Sequence, residues 1–463
     1  MSPVDPPTSG SGEPGAPKPG AEPQAKTILE RVLSPIADVH HDEVTTALLM
    51  TLLMFLILGS YYLLKTAREV FILSEGGAEV KSYSAAGQAI LLLFLVPAYG
   101  AFAAKVNRER LVTWVTLFFA SNVLLFALAY TSGLHIGIPY FLWVGIFNVM
   151  VIAQFWAFAA DLFTQAQGKR IFPLIGVGSS LGAWLGSVRA GQLVQAYGPL
   201  RLLLGAAGIL VVSVLIARVV SRRARRGESR EAAAEADKPL GGTESGFAMI
   251  RKDHYLGLIA GLTVLLNVVN TTGEYLFGRY VVEQSVALHG AGAATAAVRE
   301  QFIGAAYSQL FSTVNLVGFL LQMFVVSRLF KFLGVGKSLL VHPLVALAGY
   351  LMMLKAPSMQ LMGMVKVADN SLDYSLDNTN KQALWLPTSR EAKYKAKQAV
   401  DSFFVRMGDV ASAGIVFVGE RLALAVPVFA VINIVLVGGW LLVVGQLNAM
   451  LRRKAEESKT AQL

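Results

Sequence analysis

Uncharged apolar runs recur along this chain at the length a helix needs to cross a bilayer. LLLGAAGILVVSVLIA (202–217) and IVLVGGWLLVV (434–444) lie inside two of them, and roughly 18–20 such residues make one helical crossing. Peptide groups in hydrocarbon must be satisfied within their own segment, so these runs predict helices and not open sheets. The composition agrees: 54% of residues are hydrophobic and 15% charged, against about 25% charged in a soluble protein. An all-α, multi-pass membrane protein embedded in a lipid bilayer follows. The net charge of +10 is then read through loop topology, and no nucleic-acid partner is expected.

Spans are predicted at 44–66, 83–104, 111–131, 136–163, 171–193, 199–219, 255–281, 303–330, 337–355, 358–387, 397–420 and 424–447. Basic residues follow the even-numbered spans: Lys105, Arg108 and Arg110; Lys169 and Arg170; SRRARRGESR (221–230); Arg328 and Lys331; and Arg452, Arg453 and Lys454. By the positive-inside rule both termini are cytoplasmic, although Arg189 and Arg201 run against the pattern.

The division expected is a disordered tail (1–43), a six-helix half (44–219), a basic linker (220–253), a second six-helix half (254–447) and a cytoplasmic tail (448–463). The Pro-, Gly- and Ser-rich start has no apolar core and reads as neither signal nor transit peptide. Two six-helix halves around a central path is the plan of major-facilitator transporters, with about 12 transmembrane helices. No cysteine is present and the six histidines are scattered, so no metal site and no cofactor are expected.

Three polar constellations interrupt the apolar pattern. The first is VKVADNSLDYSLDNTNKQALWLP (365–387), where Asp369, Asp373, Asp377 and Lys381 recur every four residues. If this stretch were a loop, the basic residues after it would fall on the wrong side. It is therefore predicted to span, with its charges and Tyr374 on one face. That face lines a cavity, or else an Asp377–Lys381 ladder joins helices. The second, YYLLKTAREVF (61–71), offers Lys65, Arg68 and Glu69 either as a snorkelling end cap or as a basic wall for an anion. The third, NVVNTTGEYLFGRY (267–280), puts Asn267, Asn270 and Glu274 on one face, Asn267 for packing and the other two toward a cavity.

GVGSSLGAWLG (176–186) carries Gly178, Gly182 and Gly186 at four-residue spacing and reads as a close packing face. It lacks the GK[ST] ending of a phosphate loop. No Walker A sequence occurs anywhere in the chain, so ATP hydrolysis is not the driving force and no enzyme is expected.

Four segments carry a resemblance to the nucleotide transporter family, the ATP/ADP translocases of intracellular bacteria and plastids. LLKTAREVFILSEGGAEVKSY (63–83) looks like the family's LRDTKD-x-GAE, and FWAFAADLFTQAQGKRIFPLIGVGSS (155–180) like FWxFAN…AKRFYPLFGxGxN. DYSLDNTNKQALWLP (373–387) is similar to YSLFDPxKEMxYIP, and KYKAKQAVDSFFVRMGD (393–409) to KVKGKAAID. The resemblance implies an ATP:ADP antiporter in a bacterial inner membrane, a monomer by expectation, with ATP or ADP in a central cavity. It places the first-span cation at Arg68 and the tenth-span cation at Lys381, both as phosphate contacts. The family's seventh-span glutamate falls on Asn270, with Glu274 one turn later. Its fourth-span acid has no counterpart, Asn148 being the nearest polar residue. These departures leave two further readings: a carrier of another organic anion, or one coupled to protons through Asp373, Asp377 or Glu274, and a non-transporting sensor or scaffold.

Overall fold

The computed structural model describes residues 43–103, 108–163, 165–224, 245–389 and 391–460. Residues 1–42, which hold most of the predicted tail, and 225–244 of the predicted linker lie outside the described residues. Among those described, every regular element is a helix.

The apolar runs become the helices α1 (Val44–Ala103), α2 (Arg108–Thr131), α3 (Gly137–Leu162), α4 (Gln165–Tyr197) and α5 (Leu200–Ala224). A short α6 (Gly246–Lys252) leads into α7 (His254–His289), α8 (Ala296–Leu320), α9 (Val326–Ser338) and α10 (Val341–Lys355). Next come α11 (Met359–Leu372), α12 (Asn378–Leu384), α13 (Val405–Arg421) and α14 (Val426–Thr460). Nine stretches among the described residues are long and apolar enough to cross a membrane by length and composition. One of these is α1, which is two crossings joined at Gly77. The short Val341–Lys355 helix and the polar 359–384 run complete the twelve. Large apolar side chains such as Trp114 and Phe332, 75% and 77% exposed, point outward, as they must in lipid.

Two departures from the sequence expectation bear on the site. The first helix does not stop at 66. It runs unbroken to the turn at Gly77, whose φ of 72° suits only glycine without strain. Lys65, Arg68 and Glu69 are therefore interior residues of a crossing, which removes the end-cap reading. The second departure is a wide π turn over Asp373–Asp377, between α11 and α12. The stretch is helical through Leu384, so it is no loop, but the four-residue stripe is broken at the π turn.

The predicted glycine packing face is present. Cβ atoms at Gly178, Gly182 and Gly186 would meet Thr51, Phe55 and Gly59 of α1, the last two along the backbone, at 2.6, 2.2 and 2.7 Å. Both helices thus read four-residue ridges against each other. Gly182→Ala has no flexible side chain to push aside, and a loss of about 1–3 kcal/mol is expected from overpacking. A thermal melt of the purified variant checks this, with Gly176→Ala, where a Cβ meets nothing within 4 Å, as the control.

The halves meet through α1 with α7, α4 with α8, and the second leg of α1 with α13. The bonds that join them cluster from mid-height to the end of the molecule marked by Gly77 and Gly290. Tyr130 donates to Glu300 at 2.8 Å, Ser308 to the Ser187 carbonyl at 2.6 Å and Tyr62 to Asn315 at 2.8 Å. At that same end Glu75 of α1 accepts from the backbone N–H groups of Ile136 and Gly137, which places a carboxylate on the N-terminus of α3. The halves are closed over each other at this end.

Candidate functional site

The charged residues predicted to need a reason at membrane depth are brought together around α1, α7 and α11. Arg68 donates to the Glu69 carboxylate at 3.0 and 2.5 Å, an adjacent pair that needs no other helix. Lys81, on the second leg of α1, lies 2.7 Å from the other oxygen of Glu69. It also reaches across the halves, 3.4 Å from Glu274 of α7 and 3.0 Å from the Tyr307 hydroxyl of α8. Glu274 in turn accepts from Asn370 of α11 at 3.1 Å and faces Lys366 at 3.6 Å.

Lys366 has no exposed side-chain surface. Its ammonium has three protons and three close acceptors: Asp369 at 2.8 Å, the Asn270 side-chain oxygen at 2.5 Å and the Asn270 carbonyl at 3.2 Å. This full set is what burial of an ammonium demands. Neither Lys81 nor Lys366 was among the candidate site residues. A lysine within a predicted span was the available signal for Lys366, and the GAEVKSY segment contained Lys81 in plain sight.

Below this cluster the π turn sorts the acidic residues. Two turns that include it take eight residues instead of about seven, so Lys381 lies over Asp373, 3.2 Å away. The Asp377–Lys381 ladder is therefore absent. Asp377 turns to His342 of α10 at 2.5 Å, and the other ring nitrogen of His342 faces Asp369 at 2.7 Å. Asp369 and Asp377 are buried. Asp373, Lys381 and Tyr374 are more open, and Tyr374 is 46% exposed.

The predicted face of α7 also divides. Asn270 and Glu274 turn toward Lys366, whereas Asn267 turns to α13, donating to the Val405 carbonyl at 2.7 Å and to Asp409 at 2.8 Å. Its role there is to pack two helices, as expected. Asn148, the stand-in for the missing fourth-span acid, is part-buried, and its side-chain oxygen has no hydrogen-bond partner among the described residues.

Lys65 differs from the other cations. Arg68 and Lys81 are matched by Glu69 and Glu274, and Lys366 by Asp369. Lys65 makes no ion pair among the described residues. It lies 4.2 Å from the Phe311 ring centroid and 5.3 Å from that of Tyr62, a setting that tolerates a cation without neutralising it. Tyr61, edge-on to Tyr62 and stacked on Phe147, extends the aromatic wall. A separate cavity of about 560 Å³ between α4 and α8 is lined by Gln192, Gln195, Gln309 and Ser312, and none of the charged residues borders it.

Residues 23–133 match the family described as TLC ATP/ADP transporter. That match falls on the part of the chain holding the LLKTAREVF and GAEVKSY segments and supports the resemblance drawn from them. The fold is of the major-facilitator type. A nucleoside transporter, NupG, has 13% identity and a TM-score of 0.57 over 89% of this chain and 99% of its own. A bacterial homologue of the iron transporter ferroportin, in an inward-facing state, gives 12%, 0.60, 88% and 99%. A bacterial homologue of the human lysosomal transporter Spinster gives 12%, 0.55, 90% and 98%. No curated protein matches the chain in sequence. By the length and composition of its helices the protein is a multi-pass membrane protein, with the fold these transporters share.

Proposed function

We propose that this carrier exchanges nucleotides, ATP for ADP or phosphate, by alternating access of a site between its halves. The observation that carries the reading is Lys65, a cation at mid-membrane with no carboxylate of its own, one turn from Arg68. An uncompensated ammonium in that setting is costly and calls for an anionic ligand. Phosphate oxygens reaching Lys65 would compete with Glu69 for the Arg68 fork, since guanidinium suits phosphate in two-point contact. Lys381, whose ion pair is with the partly open Asp373, supplies a cation from the second half. Asn270 and Glu274 hold Lys366 and Lys81, Asp377 holds His342, and Tyr374 with Tyr61 offers aromatic surface. With both termini cytoplasmic, the closed end is the outer one and the carrier faces inward.

A second reading has its own support. Among the described cations gathered around α1, α7 and α11, Lys65 alone lacks a carboxylate, whereas a nucleoside triphosphate brings about four negative charges. An organic anion of lower charge would meet that single excess without displacing Glu69 or Asp373.

Purified protein in liposomes preloaded with ADP and offered labelled ATP separates the two. Uptake that requires internal nucleotide and falls at least tenfold in both Lys65→Ala and Lys381→Ala, about 1.4 kcal/mol in each, supports nucleotide exchange. Uptake unchanged in both variants sinks the phosphate assignment. Absence of nucleotide uptake, with counterflow of a mono- or dicarboxylate, moves the reading to the smaller anion.

A further inference from the structure

His342 is a buried imidazole with a carboxylate oxygen opposite each ring nitrogen, Asp377 at 2.5 Å and Asp369 at 2.7 Å. A neutral imidazole has one N–H, and an ionised carboxylate only accepts. Two ionised aspartates around a neutral ring would leave one ring lone pair facing an oxygen lone pair at hydrogen-bond distance. The geometry closes only with one more proton, either on the ring or on one carboxyl. In both placements the three groups together carry a single negative charge.

The surroundings balance that charge and no other. From α11, Lys366 meets Asp369 at 2.8 Å. From α12, Asn380 faces the second oxygen of Asp377 at 3.5 Å and itself accepts from Ser338 of α9 at 2.6 Å. From α14, Trp440 lies edge-on to the His342 ring, 5.0 Å between centroids. Lys381 borders the same small cavity as Asp377, Asn380 and Trp440, but its ion pair is with Asp373. The His342, Lys366 and Asp369 side chains are at most 2% exposed. Losing the proton would leave one uncompensated negative charge in this interior, a cost that buried ion clusters do not absorb.

The cluster ties α10 to α11 through Asp369 and to the last residue of the π turn through Asp377, a wide turn of the kind often found at functional sites. Through Lys366 and Glu274 it continues to Lys81, which bridges the halves at the closed end.

We propose that Asp369, His342 and Asp377 form a proton-binding site, and that its occupancy sets the balance between the state closed at the Gly77 end and the alternate state. The proton comes from water and returns to water, and no other reactant takes part. With the proton bound, the cluster is neutral together with Lys366 and the closed state is stable. Without it, the excess negative charge favours a rearrangement of α11 and α12 that admits water. This inference rests on the carrier fold and not on the identity of the cargo.

The absence of cysteine makes a clean test available. Ser132→Cys and Ala291→Cys put spin labels on exposed turns of opposite halves at the closed end. Pulsed-resonance distances are read from about pH 5 to about pH 10 on the full chain in lipid, without added substrate. The short distance should dominate at the acid end, and the long-distance population should rise at least threefold toward the alkaline end. His342→Gln, and separately Asp377→Asn, should flatten that dependence. A distribution in the parent chain that ignores pH overturns the proposal, whether or not either variant folds. So does a pH response that survives unchanged in a folded His342→Gln. Failure of nucleotide uptake bears only on the cargo and leaves this measurement intact.

Discussion

Lys366→Met is expected to remove most of the folded carrier from the membrane fraction. The ammonium it replaces has no exposed surface and holds Asp369 at 2.8 Å, Asn270 through two oxygens, and Glu274 at 3.6 Å. Methionine keeps much of the side-chain length and removes all four interactions. What decides the size of the effect is the carboxylates left behind: breaking a buried ion pair by deleting one partner costs about 3–5 kcal/mol. Native stabilities of only about 5–15 kcal/mol make that a large fraction of the whole. Size-exclusion profiles and melting points of detergent-solubilised protein measure it. Adding Asp369→Asn to Lys366→Met should recover part of the loss, since it withdraws the charge left unpaired. A Lys366→Met protein as stable as its parent would show that the cluster is wet, and the burial argument would fail.

The second large effect is on transport and not on folding. Arg68→Ala should lower kcat/KM for nucleotide exchange by about 10–100-fold, corresponding to roughly 1.5–3 kcal/mol for a hydrogen-bonded charged contact. Folding should survive, because Glu69 keeps Lys81 at 2.7 Å as a partner. Arg68→Lys should fall between the two, retaining the charge but not the planar two-point fork. Exchange kinetics measured beside a thermal melt separate these contributions. A melt that collapses in Arg68→Ala with per-molecule activity intact would make Arg68 a structural partner of Glu69 and nothing more.

Much of the molecule was legible in its residues for identifiable reasons. Hydrophobic runs such as 202–217 could only be crossings, since their length and lack of charge leave no other way to satisfy the backbone in lipid. The charge pattern around 365–387 required a span where local polarity suggested a loop, and the structure makes that stretch helical. The glycine spacing at 178, 182 and 186 predicted close packing because only an absent side chain lets two backbones approach so nearly. Each of these signals is local or periodic.

What the chain left open depended on partners distant in sequence. Four-residue spacing put Asp377 beside Lys381, but one extra residue in a π turn gave Lys381 to Asp373 and Asp377 to His342. His342 carried no motif and lies 35 positions from Asp377. Lys81 is in a recognised segment, yet its bridge to Glu274 closes a separation of 193 residues. Periodicity fixes which face of a helix a residue occupies only while the helix remains regular. Which charge meets which across the bundle is decided by tertiary packing, because in a desolvated interior each ion must find a partner wherever the fold brings one.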